Sequence, residues 1–206
     1  MKRCLFLLIV IVLSVPLPAK TITIDRLDTN HSTIQFRVPI MGGMSEVTGK
    51  FTDFSVSISY DDVDLTKSHV TASIRTASVD TGIADRDKHL RTPDFFDCEK
   101  FPEIRFESSR IEKTSDGYQA VGTLTMRGVS RPILLPFRLT GTHRLDEKKS
   151  TGYGFSASAA LNRQDYGVKW KHPVEPAFVG DDVTIEIRLV SKQIPDPPAD
   201  PSAPAK

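Results

Sequence analysis

The stretch VTIEIRL, residues 183–189, decides the fold because apolar and polar side chains alternate along it without a break. Its apolar members are Val183, Ile185, Ile187 and Leu189. Successive side chains of a β-strand point to opposite faces of the sheet, so the pattern predicts a strand with one apolar and one solvated face. Strands of this kind are typical of an antiparallel sheet that encloses a single interior.

The same alternation recurs between Thr21 and Ser191, for example in STIQFRV (32–38), EIRFES (103–108) and YQAVGTLTM (118–126). Strands are predicted near 22–28, 32–39, 46–60, 68–79, 103–113, 117–127, 132–142 and 151–162, with another near 182–191. Their even spacing predicts an all-β domain, either an up-and-down barrel or a sandwich.

Turn signals separate several of these strands. Asp116-Gly117 lies between two alternating segments, and Arg127-Gly128 precedes the run RPILLPFRLT (131–140). Near Thr52-Asp53 the phase of the apolar residues flips. A one-residue bulge would explain the flip, and bulges bend strands.

The charged stretch DRDKHLRTPDFFD (85–97) interrupts the alternation. Apolar residues recur there at helical spacing, which predicts two turns of helix over Ala84–Arg91. Thr92-Pro93-Asp94 is typical of a helix start and predicts a second short helix that carries the adjacent phenylalanines. We therefore expect a short helical insertion near residues 84–97, with its apolar side chains turned inward and its charges facing water.

Both ends of the chain differ from the domain between them. Residues 1–19 combine a positive start, an apolar run and a small residue, Ala19, as cleaved signal peptides do. The apolar run is too short to span a bilayer comfortably, although an uncleaved anchor is the alternative. We expect a signal peptide (1–19), a globular domain (20–191) and a proline-rich disordered tail (192–206). The product is expected to be exported, soluble and not membrane-spanning.

The charges are nearly balanced, with 27 Lys plus Arg against 26 Asp plus Glu. This balance provides no basic excess for nucleic acid and no acidic run for a cationic partner. Removal of the signal peptide takes Cys4 away and leaves Cys98 without an internal disulfide partner. We expect Cys98 to be a small buried apolar residue, with a covalent dimer as the alternative.

The motifs of metal binding and catalysis are missing from the sequence. A calcium loop starting at Asp85 would need glycine and glutamate where Leu90 and Phe96 stand. The histidines are scattered, and Cys98 alone does not make a zinc site. No G-x-S-x-G, G-x-x-x-x-G-K-[ST] or G-x-G-x-x-G sequence occurs. We therefore predict a protein that is not an enzyme, with no catalytic residue, no metal site and no cofactor.

The segment GFSASAALN, residues 154–162, indicates free volume inside the domain. Small side chains fall on both of its faces, with Ala157 and Ala159 on one of them. Small residues on the inner face of an eight-stranded barrel leave space for one ligand, and an apolar interior suits a long apolar ligand. Alternation alone leaves a second interpretation equally open, in which large neighbours fill the space as in an ordinary core.

Several stretches together resemble one family, in the family's order along the chain. They are HSTIQFRV (31–38), SEVTGKF (45–51), ASVDTGIADRDKHLRTPDFFD (77–97), FPEIRFES (101–108), GTLTMRGVSRPILLPF (122–137) and LNRQDYGV (161–168). They cover roughly residues 22–190 and resemble the YceI-like proteins, which are exported bacterial lipid-binding domains.

The resemblance implies a lipocalin-like, eight-stranded antiparallel β-barrel with a lengthwise apolar cavity. It implies a periplasmic protein that binds a long isoprenoid lipid, either a polyprenyl chain or a quinone tail, for carriage or sequestration. The charged stretch 85–97 would pack by the barrel mouth. The family sometimes pairs two copies, which leaves a homodimer open.

The expected cavity lining combines the inward faces of the strands with the insertion. The candidates are Phe36, Val38, Ile74, Leu90, Phe95, Phe106, Leu124, Phe137, Phe155, Ala157, Ala159, Ile185 and Ile187. Arg86, His89 and Arg163 are candidate contacts for a polar head group, with surface bracing as the favoured alternative for each.

The chain departs from the family pattern after FRVP, where Ile40-Met41-Gly42-Gly43-Met44 lacks the histidine that many members carry ahead of the glycine. Without that polar contact near one end of the cavity, the head-group preference stays open. Two alternative functions also stay open, a non-catalytic interaction module with a filled barrel and an enzyme acting on a lipid-like substrate.

Overall fold

A computed structural model describes residues 21–61 and 63–196 of the chain. The strands are β1 (Thr21–Ile24), β2 (Thr33–Ile40), β3 (Ser45–Phe51), β4 (Phe54–Asp61), β5 (His69–Arg75), β6 (Val79–Asp80), β7 (Glu103–Thr114), β8 (Gly117–Met126), β9 (Val129–Leu145), β10 (Ser150–Asn162), β11 (Asp182–Val190) and β12 (Ile194–Pro195). The helical elements are α1 (Ala84–Leu90) and short 3-10 segments at Met41–Gly43, Leu65–Lys67, Thr76–Ser78, Asp146–Lys148 and Arg163–Tyr166.

The strands form one antiparallel sheet in the order β1-β4-β5-β7-β8-β9-β10-β11-β2-β3-β6, and β12 pairs with β10. β1 and β6 stand at the two edges, and no ladder among the described residues joins them. The two flanks are connected by the chain itself, because β3 continues into β4 across Thr52 and Asp53. The antiparallel all-β fold with one short helix is confirmed. The closed eight-stranded barrel is wrong, since the structure is a curled half-barrel with more strands.

The extra strands arise where single predicted strands are divided. The predicted strand 46–60 is two strands, since β3 pairs with β2 and β6 whereas β4 pairs with β1 and β5. The predicted strand 68–79 likewise becomes β5 and β6. The phase flip at Thr52-Asp53 therefore marks a break between strands with different partners. Such a break depends on tertiary pairing, which alternation along the chain does not reveal.

Both predicted hairpins are confirmed, although the first turn lies one residue earlier than the predicted Asp116-Gly117. β7 and β8 pair from Thr114 and Gly117 onward, so their turn lies at 115–116. Arg127 and Gly128 have φ values of 51° and 73° and join β8 to β9. Two central residues with positive φ are typical of a type I′ turn, whose twist matches that of the flanking strands.

Only one of the two helices predicted for the insertion is present. α1 confirms the first predicted helix, but the second is wrong because residues 91–96 form successive turns. The Phe95 amide donates to the Thr92 carbonyl and the Phe96 amide to the Leu90 carbonyl, both at 3.0 Å. These two hydrogen bonds span different numbers of residues, so the regular bonding pattern of a helix does not develop after Pro93. The turns still direct Phe96 inward.

The core lies on the concave face of the sheet. Ile24 and Val79 are completely enclosed, at 0% exposure. Phe36, Phe51 and Phe96 form a ring cluster with centroids 5.7, 6.4 and 5.6 Å apart. Tilted and edge-to-face aromatic pairs at such distances are favourable. This cluster anchors the turns after α1 to strands β2 and β3.

The two ends of the chain are described only in part. The predicted signal peptide (1–19) and residues 197–206 lie outside the described residues. Within residues 192–196, which the sequence assigns to the tail, Ile194–Pro195 form strand β12 and pair with β10. Ile194 pairs with Thr151, and the Arg144 guanidinium lies 2.8 Å from the Asp196 carboxylate. Ile194–Pro195 therefore add a short strand to the sheet, and the disordered tail stays a prediction.

Glycine 122 tests the packing of the concave face. An added Cβ there would lie 2.7 Å from the Phe106 ring and would also collide with the Glu107 carbonyl oxygen. We expect Gly122→Ala to lower the free energy of unfolding by about 1–3 kcal/mol through overpacking. Gly141→Ala is the control, because an added Cβ there has no neighbour within 4 Å. Urea unfolding measures both, and equal losses would contradict the packing described for β8.

Candidate ligand-binding cavity

The curled sheet encloses a cavity of about 510 Å³. This volume is within the range of small-molecule pockets in proteins. The wall is formed by the inward side chains of the sheet, by α1 with its following turns, and by loop 163–181. It is apolar over almost its whole area. None of the described side chains fills this space, although the sequence left a filled interior equally open.

The predicted lining residues lie on this wall with one exception. The residues on the wall are Phe36, Val38, Ile74, Leu90, Phe95, Phe106, Leu124, Phe137, Phe155, Ala157, Ile185 and Ile187. Ala159 is not among the lining residues. It pairs with Ile185, whose longer side chain reaches the wall beside it. Contact between a ligand and any of these residues stays a prediction.

Several wall residues were missed from the sequence. Loop 163–181 contributes Val168, Trp170 and Phe178, although no strand was predicted there. The alternation of Val168, Trp170 and the intervening lysines in VKWKH is a signal that would have found the first two. His69 also reaches the wall, with its Nδ1 3.1 Å from the Ser108 hydroxyl. For a single histidine at the start of a strand, nothing in the sequence indicates that the side chain points inward.

The cavity has two different ends, because antiparallel strands place alternate connections at opposite ends of the sheet. One end, termed the rim, holds the β2–β3 hairpin (41–44), the segment 76–101, the β8–β9 turn (127–128) and loop 163–181. The opposite end holds the shorter connections, including 62–68, 115–116 and 146–149. The charged stretch 85–97 is therefore part of the rim.

Two arginines tie the segment after α1 to the sheet. Arg91 donates from Nε to the Ala77 carbonyl at 2.8 Å and from Nη2 to the Val79 carbonyl at 2.7 Å. Arg127 donates to the carbonyls of Pro93, at 2.9 Å, and Phe95. Carbonyls in turns lack the N–H donors that a helix or a strand ladder supplies. The N–H groups of a guanidinium serve as donors to these carbonyls instead.

Arg163 holds loop 163–181 together. Its side chain is 5% exposed and donates to the carbonyls of Gly180, Val168, Trp170 and Val179 at 2.9, 2.8, 3.0 and 3.2 Å. It also pairs with the Asp181 carboxylate at 2.8 Å. Burial lowers the pKa of Arg163 from its ordinary value, and Asp181 counteracts that effect. The number of protein partners favours the bracing role for Arg163 over contact with a head group.

Arg86 and His89 lie together on the rim side of the wall. Arg86 donates from Nε to the Thr81 hydroxyl at 2.8 Å and from Nη2 to the Thr81 carbonyl at 2.9 Å. His89 Nε2 lies 2.8 Å from the Asp94 carboxylate, and its ring packs edge-on against Phe95 and Trp170 at 5.0 and 5.3 Å. The arrangement combines an apolar chamber with a few polar groups at one end.

Cys98 is half-buried, and no disulfide partner exists among the described residues. Within the same part of the chain, no cluster of three or more His, Cys, Asp or Glu side chains has a geometry suited to a metal ion. The helices of residues 21–61 and 63–196 include none with the length and apolar character needed to cross a membrane.

Comparisons with known proteins match this chain along most of its length. A family model described as the YceI-like domain matches residues 26–191. A protein of Serratia proteamaculans described as a UPF0312 protein is 38% identical over 138 residues, which are 67% of this chain and 71% of that protein. A UPF0312 protein of Yersinia pestis has the same identity and coverage.

Three solved structures share the fold. The YceI protein of Campylobacter jejuni has a TM-score of 0.64 at 28% identity, covering 72% of this chain and 85% of that one. BcnA of Burkholderia cenocepacia has a TM-score of 0.70 at 21% identity, covering 81% and 99%. A domain of Saccharophagus degradans described as polyisoprenoid-binding has a TM-score of 0.60 at 17% identity, covering 82% and 98%. The last two likenesses concern the fold alone.

Arg163 provides a test of the rim. We expect Arg163→Met to lower the free energy of unfolding by about 3 kcal/mol, because it leaves buried carbonyls without donors. Arg131→Met is the matched control, since its guanidinium is half-exposed and donates to one loop carbonyl, that of Asp165, at 2.8 Å. The control should cost less than about 1 kcal/mol. Chemical denaturation of both variants checks this, and a near-neutral Arg163→Met would contradict the bracing role.

Proposed function

Since this chain belongs to the YceI-like domain family, we propose that it binds a long apolar isoprenoid lipid, a polyprenyl chain or a quinone tail, inside its curled sheet. The observation that carries the proposal is the apolar cavity of about 510 Å³ that runs from the rim into the sheet. The Saccharophagus degradans neighbour, which is described as polyisoprenoid-binding, supports the same ligand class through its fold.

Apolar burial would drive the binding. At roughly 25 cal/mol per Å², an isoprenoid tail that buries about 400 Å² gains about 10 kcal/mol before the costs of association. A chain of repeated methyl-branched units has no polar atoms to satisfy, which suits a wall with few polar side chains. Carriage or sequestration of the lipid, without chemical change, is the activity that such a wall supports.

A polar head group of the lipid would lie at the rim. Arg86 and His89 are the candidate contacts, because both reach the wall beside Trp170 and Phe95. Arg86 uses Nε and Nη2 on Thr81, which fixes its guanidinium towards the wall. Arg163 is excluded from this role in the proposal, since its donors are committed to loop carbonyls.

The chain organisation follows the same proposal. Residues 1–19 act as a cleaved signal peptide that directs the protein to the periplasm, the lipid-binding domain follows, and the proline-rich tail begins after Asp196. A homodimer stays a prediction. The alternative of an interaction module with a filled barrel is disfavoured by the volume of the cavity.

Ala157 gives the most direct test of the cavity. We expect Ala157→Phe to lower the affinity for a fluorescent or isotopically labelled prenyl alcohol at least about tenfold, since the new ring occupies the space of the chain. Equilibrium titration measures the affinity, and the ligand-dependent rise in melting temperature provides a second readout.

Ala160→Phe is the control on the same strand, because Ala160 is exposed and is not a wall residue. It should bind the prenyl alcohol as the parent chain does. If both variants bind normally, or if the parent chain binds no prenyl alcohol, the proposed function is wrong.

Arg86 tests the orientation of the ligand. We expect Arg86→Met to weaken binding of a prenyl phosphate about tenfold more than binding of the prenyl alcohol of equal length, because only the phosphate gains a charge-assisted bond. Paired titrations with the two ligands give this ratio. A ratio that stays at its parental value would place the head group away from Arg86.

A further inference from the structure

Exposed apolar side chains concentrate at the rim. The large apolar residues with substantial exposure in the described ranges are Met41, Met44, Val63, Ile83, Leu134 and Val174. Met44 and Val174 are the most exposed, at 82% and 87%. Met41 and Met44 lie in the β2–β3 hairpin and Val174 in loop 163–181, both parts of the rim. Single exposed apolar residues are ordinary on protein surfaces, but their grouping around one opening is not.

The hairpin and the loop form one continuous surface. The Met41 amide donates to the Phe178 carbonyl at 2.8 Å, and the Gly180 amide to the Pro39 carbonyl at 2.8 Å. Ile40 and Val179 form a β-bridge between them. Ile40, Trp170 and Phe178 from the same two segments line the cavity. The exposed apolar tips therefore stand directly beside the cavity wall.

Two exposed lysines lie in the same loop as Val174. Lys169 and Lys171 flank Trp170, and both are exposed. Neither forms an ion pair within the described part of the chain, whereas Lys50 and Lys67 each pair with an aspartate. Segment 168–178 contains one acidic residue, Glu175, against these two lysines. Segment 168–178 therefore has a net charge of +1 beside Val174, although the charges balance over the whole loop 163–181.

We propose that Met41, Met44 and Val174, with Lys169 and Lys171, dock the rim onto an anionic phospholipid bilayer. Apolar tips with flanking lysines match the interface of such a bilayer, where apolar groups enter the acyl boundary and ammonium groups meet phosphates. The proposal deepens the proposed function and rests on it, because docking would let an isoprenoid chain pass between bilayer and cavity without crossing water. A protein partner would require a contiguous apolar patch at the centre of the interface. Separate apolar side chains on two loops fit a bilayer better, because each can enter it independently.

Vesicle binding tests the docking. Protein expressed from the full sequence and recovered without detergent is sedimented with vesicles of phosphatidylethanolamine and phosphatidylglycerol, and with vesicles of phosphatidylcholine alone. We expect binding to the anionic vesicles, falling at least about tenfold in the double variant Met44→Asp, Val174→Asp. Replacing Lys169 and Lys171 by glutamine should lower the affinity about fivefold for each charge.

Val63→Asp is the matched control, since Val63 is 66% exposed but belongs to the connection at the opposite end of the sheet. It should bind vesicles as the parent chain does. The docking proposal is overturned if the parent chain ignores anionic vesicles, which would favour a protein partner for the rim. It is equally overturned if the Met44 and Val174 double variant binds as tightly as the control.

Two further readouts separate this proposal from the proposed function. The double variant should bind a prenyl alcohol in solution with parental affinity, yet take it up from anionic vesicles at least about tenfold more slowly. A parent chain that binds vesicles but no prenyl alcohol would support docking and refute the lipid-binding function. A parent chain that binds the alcohol but no vesicles would support the lipid-binding function and refute docking.

Discussion

The apolar concave face of a single curved sheet is the constraint on which the rest of the molecule depends. Each strand turns one set of side chains inward, and many of these side chains line a cavity instead of filling the interior. A few do meet across it, since Tyr60 of β4 and Tyr153 of β10 have ring centroids 5.3 Å apart. Phe36 and Phe106 pack over Gly49 and Gly122 of the neighbouring strands, where a Cβ would collide with their rings, and both rings line the cavity. The result is a shielded apolar wall around an apolar cavity.

The rim contains backbone carbonyls that the sheet does not supply with hydrogen-bond donors. Segments 76–101 and 163–181 leave the ladder, and their turn carbonyls need donors. Arg91, Arg127 and Arg163 supply those donors from planar guanidinium groups that each bond more than one carbonyl. Arg163, which the sequence offers as a candidate contact for a head group, therefore acts as scaffold. This bracing keeps the aromatic residues of the rim in place beside the cavity.

The sequence predicts the features that depend on neighbouring residues. The alternation of β11, the two hairpin turns and helix α1 all follow from local patterns, and the quoted stretches identify the family. The break at Thr52-Asp53, the strands β6 and β12, and the wall residues of loop 163–181 depend on distant partners instead. Ala159 shows how far the cavity lining can be predicted. Its position on the inner face follows from the alternation, but the sequence does not show that the paired Ile185 side chain lines the cavity in its place. The turns after Pro93 replace a helix because their bonds close onto Leu90 and Thr92.

The central claim is that the cavity holds a long apolar chain. It is tested most directly by native mass spectrometry of protein recovered without detergent from cells that export it, followed by organic extraction and identification of the bound lipid. The account predicts one isoprenoid lipid per protein chain, released intact on extraction. A protein that carries no lipid, and that takes up neither polyprenyl alcohols nor quinones when they are added, would contradict it.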